Sequence, residues 1–232
     1  MNSYKLINGF KLRYCDSKTS FVDSLKNETG LLMAVNAEKI YHSNPLLKEI
    51  SNKGIAYPDG IGAVLALKIK GVKKTIRIPG CELWLDIVKA FKKTKTFYII
   101  GSTDSVLNKV VSKLKFENQE IKILGYQNGY FKDEEINLII DELKIKKPDI
   151  IFVALGSPKQ ELLMKSLHKN HKALYMGLGG SLDIFAGEIL RSPKIFRDNG
   201  FEWFYRLISD PKRIKRQKVL IPFLFNLIKG KY

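Results

Sequence analysis

Cysteine is scarce: Cys15 and Cys81 are the two in 232 residues, and neither sits in a CxxC pair or beside a histidine cluster. That excludes a disulfide-stapled scaffold and argues against a structural zinc site, whose ligands come in close pairs. The opening MNSYKLINGFKLRY has no apolar stretch of the kind a secretory signal carries. No run approaches the roughly 18 apolar residues of a membrane-spanning helix, so a cytoplasmic location is expected. Internal repeats and low-complexity linkers are missing as well. Acidic residues are the other shortage, 23 Asp and Glu against 40 Lys and Arg, for a formal net charge of +17. Such an excess points to a polyanionic partner: nucleic acid, an acidic membrane or phosphorylated substrates. A generally lysine-rich composition would give part of the same surplus.

What is present suits one core and a tail. Hydrophobic residues make up 45% and charged residues 27%, as in an ordinary globular domain. Leu31 to Val35, Phe97 to Ile100, Ile121 to Gly125, Asp149 to Leu155 and Ala173 to Met176 read as strands, Asp149 to Leu155 apolar on both faces. Asn36 to Ile50, Ser105 to Lys115 and Asp133 to Lys146 read as helices, the last with Ile136, Leu138, Ile139 and Leu143 on one face. Buried strands alternating with helices predict an α/β fold, a mostly parallel sheet covered on both faces. From Pro211 to Tyr232 there are seven basic residues and no acidic one, around the apolar run Val219 to Ile228. Ten residues cannot cross a bilayer, and Pro222 is expected to break a helix there. The segment suits an anionic interface, or else a helix packed on the core or on a second subunit.

Ligands of open α/β sheets bind at the carboxyl ends of the strands. The polar residues after the apolar runs are Asn36-Ala37-Glu38, Gly156-Ser157-Pro158-Lys159-Gln160-Glu161 and Gly177-Leu178-Gly179-Gly180-Ser181-Leu182-Asp183, with Gly101 after another. Free N–H groups at the helix starts can hold phosphate there, although tight strand-to-helix turns need the same glycines. The G-x-G-x-x-G spacing is missing, which disfavours a dinucleotide dehydrogenase. Tyr57-Pro58-Asp59-Gly60-Ile61-Gly62 is a common turn sequence that also presents a carboxylate able to act as general base. Arg77-Ile78-Pro79-Gly80 sets a cation near a helix start. Arg206, Arg213 and Arg216, at spacings of seven and three, fall along one helical side. They could grip a diphosphate or form a solvated basic face.

The order of these motifs carries a resemblance. Asn36-Ala37-Glu38, Pro58-Asp59-Gly60-Ile61-Gly62, Arg77-x-Pro79-Gly80, Gly129-Tyr130-Phe131 and Gly156-x-Pro158-x-Gln160-Glu161 run in series. Gly177-x-Gly179-Gly180-x-x-Asp183-x-x-Ala186-Gly187, Arg191-x-Pro193 and Gly200-x-Glu202-Trp203-x-x-Arg206-Leu207 follow. From about residue 5 to residue 216 the chain resembles the WecG/TagA/CpsF family of bacterial glycosyltransferases. The resemblance implies a Rossmann-like core, expected over residues 1–195, and a basic membrane-associating appendage over 196–232. It implies an inverting transfer from a UDP-sugar, without an obligatory metal or other cofactor, onto an undecaprenyl-diphosphate-linked saccharide of a cell-surface polysaccharide or teichoic acid. N-acetylmannosamine, its uronic acid, or another hexose all suit the donor.

By the same resemblance Asp59 matches the catalytic base, and Asn36 and Gln160 match residues near the donor or reacting sugar. Gly101, Gly156, Gly177, Gly179, Gly180 and Asp183 are the donor-side candidates, and Arg77, Arg206, Arg213 and Arg216 those for the acceptor diphosphate. Ala34 stands where many relatives carry Thr, and Cys81-Glu82 where many carry an Asp after the Gly. The lost hydroxyl bears on which sugar is moved more than on the reaction class. The implied setting is the inner face of the plasma membrane, with self-association as a way to cover the apolar tail. A nucleic-acid module is disfavoured, since no such motif occurs and the basic tail residues alternate with aliphatics. A non-catalytic UDP-sugar sensor would keep the donor loops but would not need Asp59.

Overall fold

The computed structural model describes residues 3–198, 202–209 and 218–232. The chain opens with a hairpin, β1 (Ser3–Ile7) and β2 (Phe10–Tyr14). Asn8 and Gly9 between them both take positive φ, 46° and 82°, the two-residue turn whose twist matches paired strands. The short α1 (Lys18–Asp23) precedes β3 (Gly30–Val35). The helix expected over Asn36 to Ile50 is two helices, α2 (Ala37–His42) and α3 (Pro45–Lys53). Ser43 turns left-handed at φ 55° and ends the first, and Pro45, set at the start of the second, follows an Asn44 cap.

Next come β4 (Ile55–Pro58), α4 (Ile61–Ile69), α5 (Gly80–Phe91), β5 (Thr96–Gly101), α6 (Asp104–Glu117) and β6 (Lys122–Gln127). A 3-10 turn (Asp133–Glu135) leads into α7 (Ile136–Lys146), where Ile139, Ile140 and Leu143 are buried and Leu138 faces out. Leu138 therefore does not share the apolar face expected for it; Ile140 does. Then follow β7 (Ile150–Ala154), α8 (Lys159–Asn170), β8 (Leu174–Gly177) and α9 (Ser181–Ala186). The chain closes with α10 (Lys194–Asp198), α11 (Glu202–Ser209) and α12 (Leu220–Ile228).

The eight strands form one sheet in the order β1-β2-β4-β3-β8-β7-β5-β6. Only the β1–β2 pairing is antiparallel among those described. The fold is therefore the expected α/β class with a mostly parallel sheet. Side chains alternate across it: Tyr98, Ile100, Ile151 and Val153 enter one core layer, and Phe97, Ile99, Ile150 and Phe152 the other. The first layer lies under α2, α3, α4, α7, α8 and α12, and the second under α1, α5, α6 and α9.

The apolar tail is helical after all. Pro222 falls in the first turn of α12, where no intrahelical N–H bond is owed, so it does not break the helix. Val219, Phe223 and Leu227, one turn apart, are buried in the first core layer, where α12 packs on α2 and α4. Ile221, Leu224, Phe225 and Ile228 face outward. The boundary expected at residue 195 falls inside α10. No described helix is long and apolar enough to cross a membrane.

Candidate active site at the strand ends

The candidates line up across the sheet. Asp59 follows β4, Asn36 follows β3, Gly177 to Gly180 end β8, Gly156 to Gln160 follow β7, and Gly101 ends β5. These five strands are consecutive neighbours. The chain leaves β3 toward β4 on one side and later reaches β5 and β6 on the other, so β3 and β8 flank the point where strand order reverses, the usual place for a ligand crevice. At about 4.8 Å per strand, Asp59 and Gly177 stand roughly 10 Å apart.

At the centre is a chain of polar contacts that no local pattern announces. Asn36 caps α2, its Oδ1 accepting the Lys39 N–H at 3.0 Å. The Lys39 ammonium donates to the Ala34 carbonyl and to Glu161 Oε1, both at 2.8 Å. The Glu161 side chain is fully buried and that of Lys39 is 14% exposed. Gln160 Nε2 donates to the same Glu161 oxygen at 3.3 Å, and Gln160 Oε1 accepts the Gly179 N–H at 2.9 Å. The Gln160 carboxamide lies against Gly177, where any Cβ would collide with it. Sequence alone marked Gln160 and the glycines but missed Lys39 as a partner, because Lys39 and Glu161 are 122 residues apart.

Asp59 enters its loop through a backbone bond, its N–H donating to the Val35 carbonyl at 2.9 Å. Its Oδ1 accepts the N–H of Gly80, the first residue of α5, at 3.3 Å. The amino end of a twelve-residue helix favours negative charge, so this contact suits a carboxylate and aims it. Beside it the Tyr57 hydroxyl is fully buried and unpartnered. Burial, then the negative charges of Asp59, Cys81 and Glu161, push that phenol well above its ordinary range, so it stays neutral.

A partly exposed cluster borders Gly80. Glu82 binds Arg191, and Lys18 at 3.2 Å; Lys18 also reaches Asp86 at 2.9 Å. Arg191 additionally donates to Cys81 Sγ at 3.3 Å. Burial works to raise the Glu82 carboxyl, but Arg191 and Lys18 hold it below its ordinary value. Arg77 lies 3.6 Å from Glu202 on α11, tying the C-terminal part to this rim. On the other flank Asp183 accepts the Ser102 hydroxyl at 2.8 Å and so joins the loops after β5 and β8, another pairing with no sequence signal across 81 residues.

The remaining candidates are less defined. Arg206 sits on α11, with its side chain outside the described set, and Arg213 and Arg216 lie outside the described residues. Among the described residues no group of three or more His, Cys, Asp or Glu side chains is set to hold a metal ion. Residues 10–232, nearly the whole chain, match the family model described as Glycosyl transferase WecG/TagA/CpsF family.

Proposed function

The chain belongs to the WecG/TagA/CpsF glycosyltransferase family, and we propose that it moves a sugar from a UDP-sugar onto a saccharide carried by a lipid diphosphate, with inversion at the anomeric carbon. N-acetylmannosamine or a related hexose is the proposed sugar, and undecaprenyl diphosphate the proposed carrier. The observation that carries this reading is the row of strand-end loops, with a helix-held carboxylate at Asp59 and glycine turns two strands away.

UDP lies over Gly101, Gly156 and the Gly177 to Gly180 turn. Backbone N–H groups and basic side chains meet its diphosphate, and the Ser102–Asp183 bond holds the two loops together. Asn36 Nδ2 and the Gln160 corner orient the donor sugar. The acceptor hydroxyl attacks the anomeric carbon from the face opposite UDP. Its proton goes to Asp59, and the bond to the diphosphate oxygen breaks with its electron pair leaving on UDP.

Residues 196–232 act as the appendage that meets the acceptor and the membrane. Arg206, Arg213 and Arg216 bind the acceptor diphosphate. α12, with Ile221, Leu224, Phe225 and Ile228 outward, packs on α4, whose Ile61, Leu65 and Ile69 form an exposed apolar stripe. Lys68, Lys218, Lys229 and Lys231 flank these residues in the chain. Apolar area rimmed by lysine suits an anionic bilayer surface, where each basic residue contributes about 1 kcal/mol.

The test is UDP release from a panel of UDP-sugars, with and without polyprenyl-diphosphate-linked GlcNAc in detergent. Release that requires one donor and the acceptor together is expected. Binding of a UDP-sugar with no release under any combination would overturn the transferase reading.

A further inference from the structure

Lys39 and Glu161 form a buried ion pair that the transfer chemistry above does not use. Burying two charges costs several kcal/mol per ion, and well-packed apolar residues in their place are often as stable or more so. Stability therefore does not explain the pair, and what it holds is a better guide. Lys39 ties the Ala34 carbonyl, at the end of β3, to the first turn of α8.

The consequence runs through Gln160. A carboxamide can sit either way round, with oxygen and NH₂ exchanged. Glu161 Oε1, which also accepts from the Lys39 ammonium, takes Nε2 and so forces Oε1 toward the Gly179 N–H. Reversed, the carboxamide would set NH₂ against that N–H, two donors facing each other, and the turn after β8 would lose its anchor. Gly177 leaves the room beneath the carboxamide. The charge on one pair thus fixes the orientation of one side chain, and that side chain fixes the glycine turn.

We propose that Lys39 is a positioning residue for the transfer, acting through Glu161 and Gln160 to hold the Gly177 to Gly180 turn in its donor-binding shape. The role in donor binding rests on the reading given under Proposed function; the mechanical coupling does not.

The test compares full-length Lys39→Met, Lys39→Arg, Glu161→Gln and the double variant Lys39→Met with Glu161→Gln. Amide hydrogen exchange without substrate, thermal unfolding, and donor and acceptor KM are measured on each. Lys39→Met is expected to speed exchange across 177–183 while 96–101 and 150–154 keep their protection. Its donor KM rises about tenfold, the size of one lost hydrogen bond to a charged group, with acceptor KM within about twofold. Lys39→Arg, still cationic, retains most of the donor affinity. The double variant removes the unpaired buried charge, so its thermal midpoint recovers while donor KM and exchange in the turn stay raised.

Recovery of donor KM together with the midpoint would mean a merely structural pair and overturn the proposal. So would unchanged exchange over 177–183 in Lys39→Met. If Lys39→Met does not fold, Glu161→Gln and the double variant decide the same question. Should the wild-type chain turn over no UDP-sugar, the transferase reading fails, and the exchange comparison still decides the coupling.

Discussion

The two ends of the same strands make a sharp contrast. At their amino ends lies a cleft of about 740 Å³ lined by Lys95, Lys144, Lys147, Asp149, His171 and Lys172 among others. At their carboxyl ends stand Asp59, Asn36, Gln160 and the glycine turns. Both ends are polar and both carry lysines, yet their polar groups are used differently. At the amino end Asp149 is spent on closing its own sheet: Oδ2 accepts the Thr96 N–H and hydroxyl, each at 2.8 Å, and Lys95 stands 3.6 Å away. His171 meets the Pro148 carbonyl at 2.8 Å. At the carboxyl end Asp59 is held by the Gly80 N–H at the start of α5, and the Gln160 carboxamide by the Gly179 N–H after β8. The proposed site therefore rests on polar groups gathered from several neighbouring strand ends rather than on volume or charge.

Exchanging the carboxylates would break this contrast most severely. Asp59→Asn is expected to lower turnover 10²- to 10⁴-fold, about 3–5 kcal/mol in the barrier, with a little-changed thermal midpoint; steady-state UDP release measures it. Wild-type turnover in that variant would remove Asp59 from the chemistry. Next in size is Phe223→Ala, which empties a fully buried position under α12 and should cost about 3–5 kcal/mol in denaturant unfolding.

Asp149→Asn should leave turnover unchanged and cost only about 0.5–1 kcal/mol of stability, because the carboxylate is 40% exposed and water screens its pairing. Burial works to raise this carboxyl, but the Thr96 N–H and hydroxyl and then Lys95 hold it below its ordinary value of 3.8. A depressed folded-state value contributes stability above the unfolded value and loses it as pH falls through the folded one. The gap between wild type and Asp149→Asn should therefore be full at neutral pH and close below about pH 3.8. The smallest effect is expected from Lys147→Ala combined with Lys172→Ala in the cleft, with donor KM within about twofold of wild type, the size of a surface substitution. A larger change would give the amino end a ligand after all.

How far the sequence carries this contrast depends on the range of each interaction. Buried strands such as Ile150–Ala154 declare themselves, since five apolar residues in a row fit only a sheet covered on both faces. Four-residue β4 and the edge hairpin are too short and too mixed for that signal, although Asn8-Gly9 is a turn sequence. The break at Ser43 was written in Ser43-Asn44-Pro45, whose capping chemistry outweighs the apolar spacing across it. The candidates Asn36 and the glycines were legible because each follows an apolar run, and Asp59 because it sits in a Pro-Asp-Gly turn. The Lys39–Glu161 and Ser102–Asp183 contacts were not, since only the folded strand order brings those residues together.

Phe223 has one more consequence. Its ring lies against Gly62, where an added Cβ would stand 3.3 Å from it and 2.8 Å from the Ala37 side chain. It is thus wedged between the opening turns of α2 and α4, one residue beyond Asn36 and three beyond Asp59. A substitution that shifts α12 would therefore be felt first at the helix starts that follow Asn36 and Asp59.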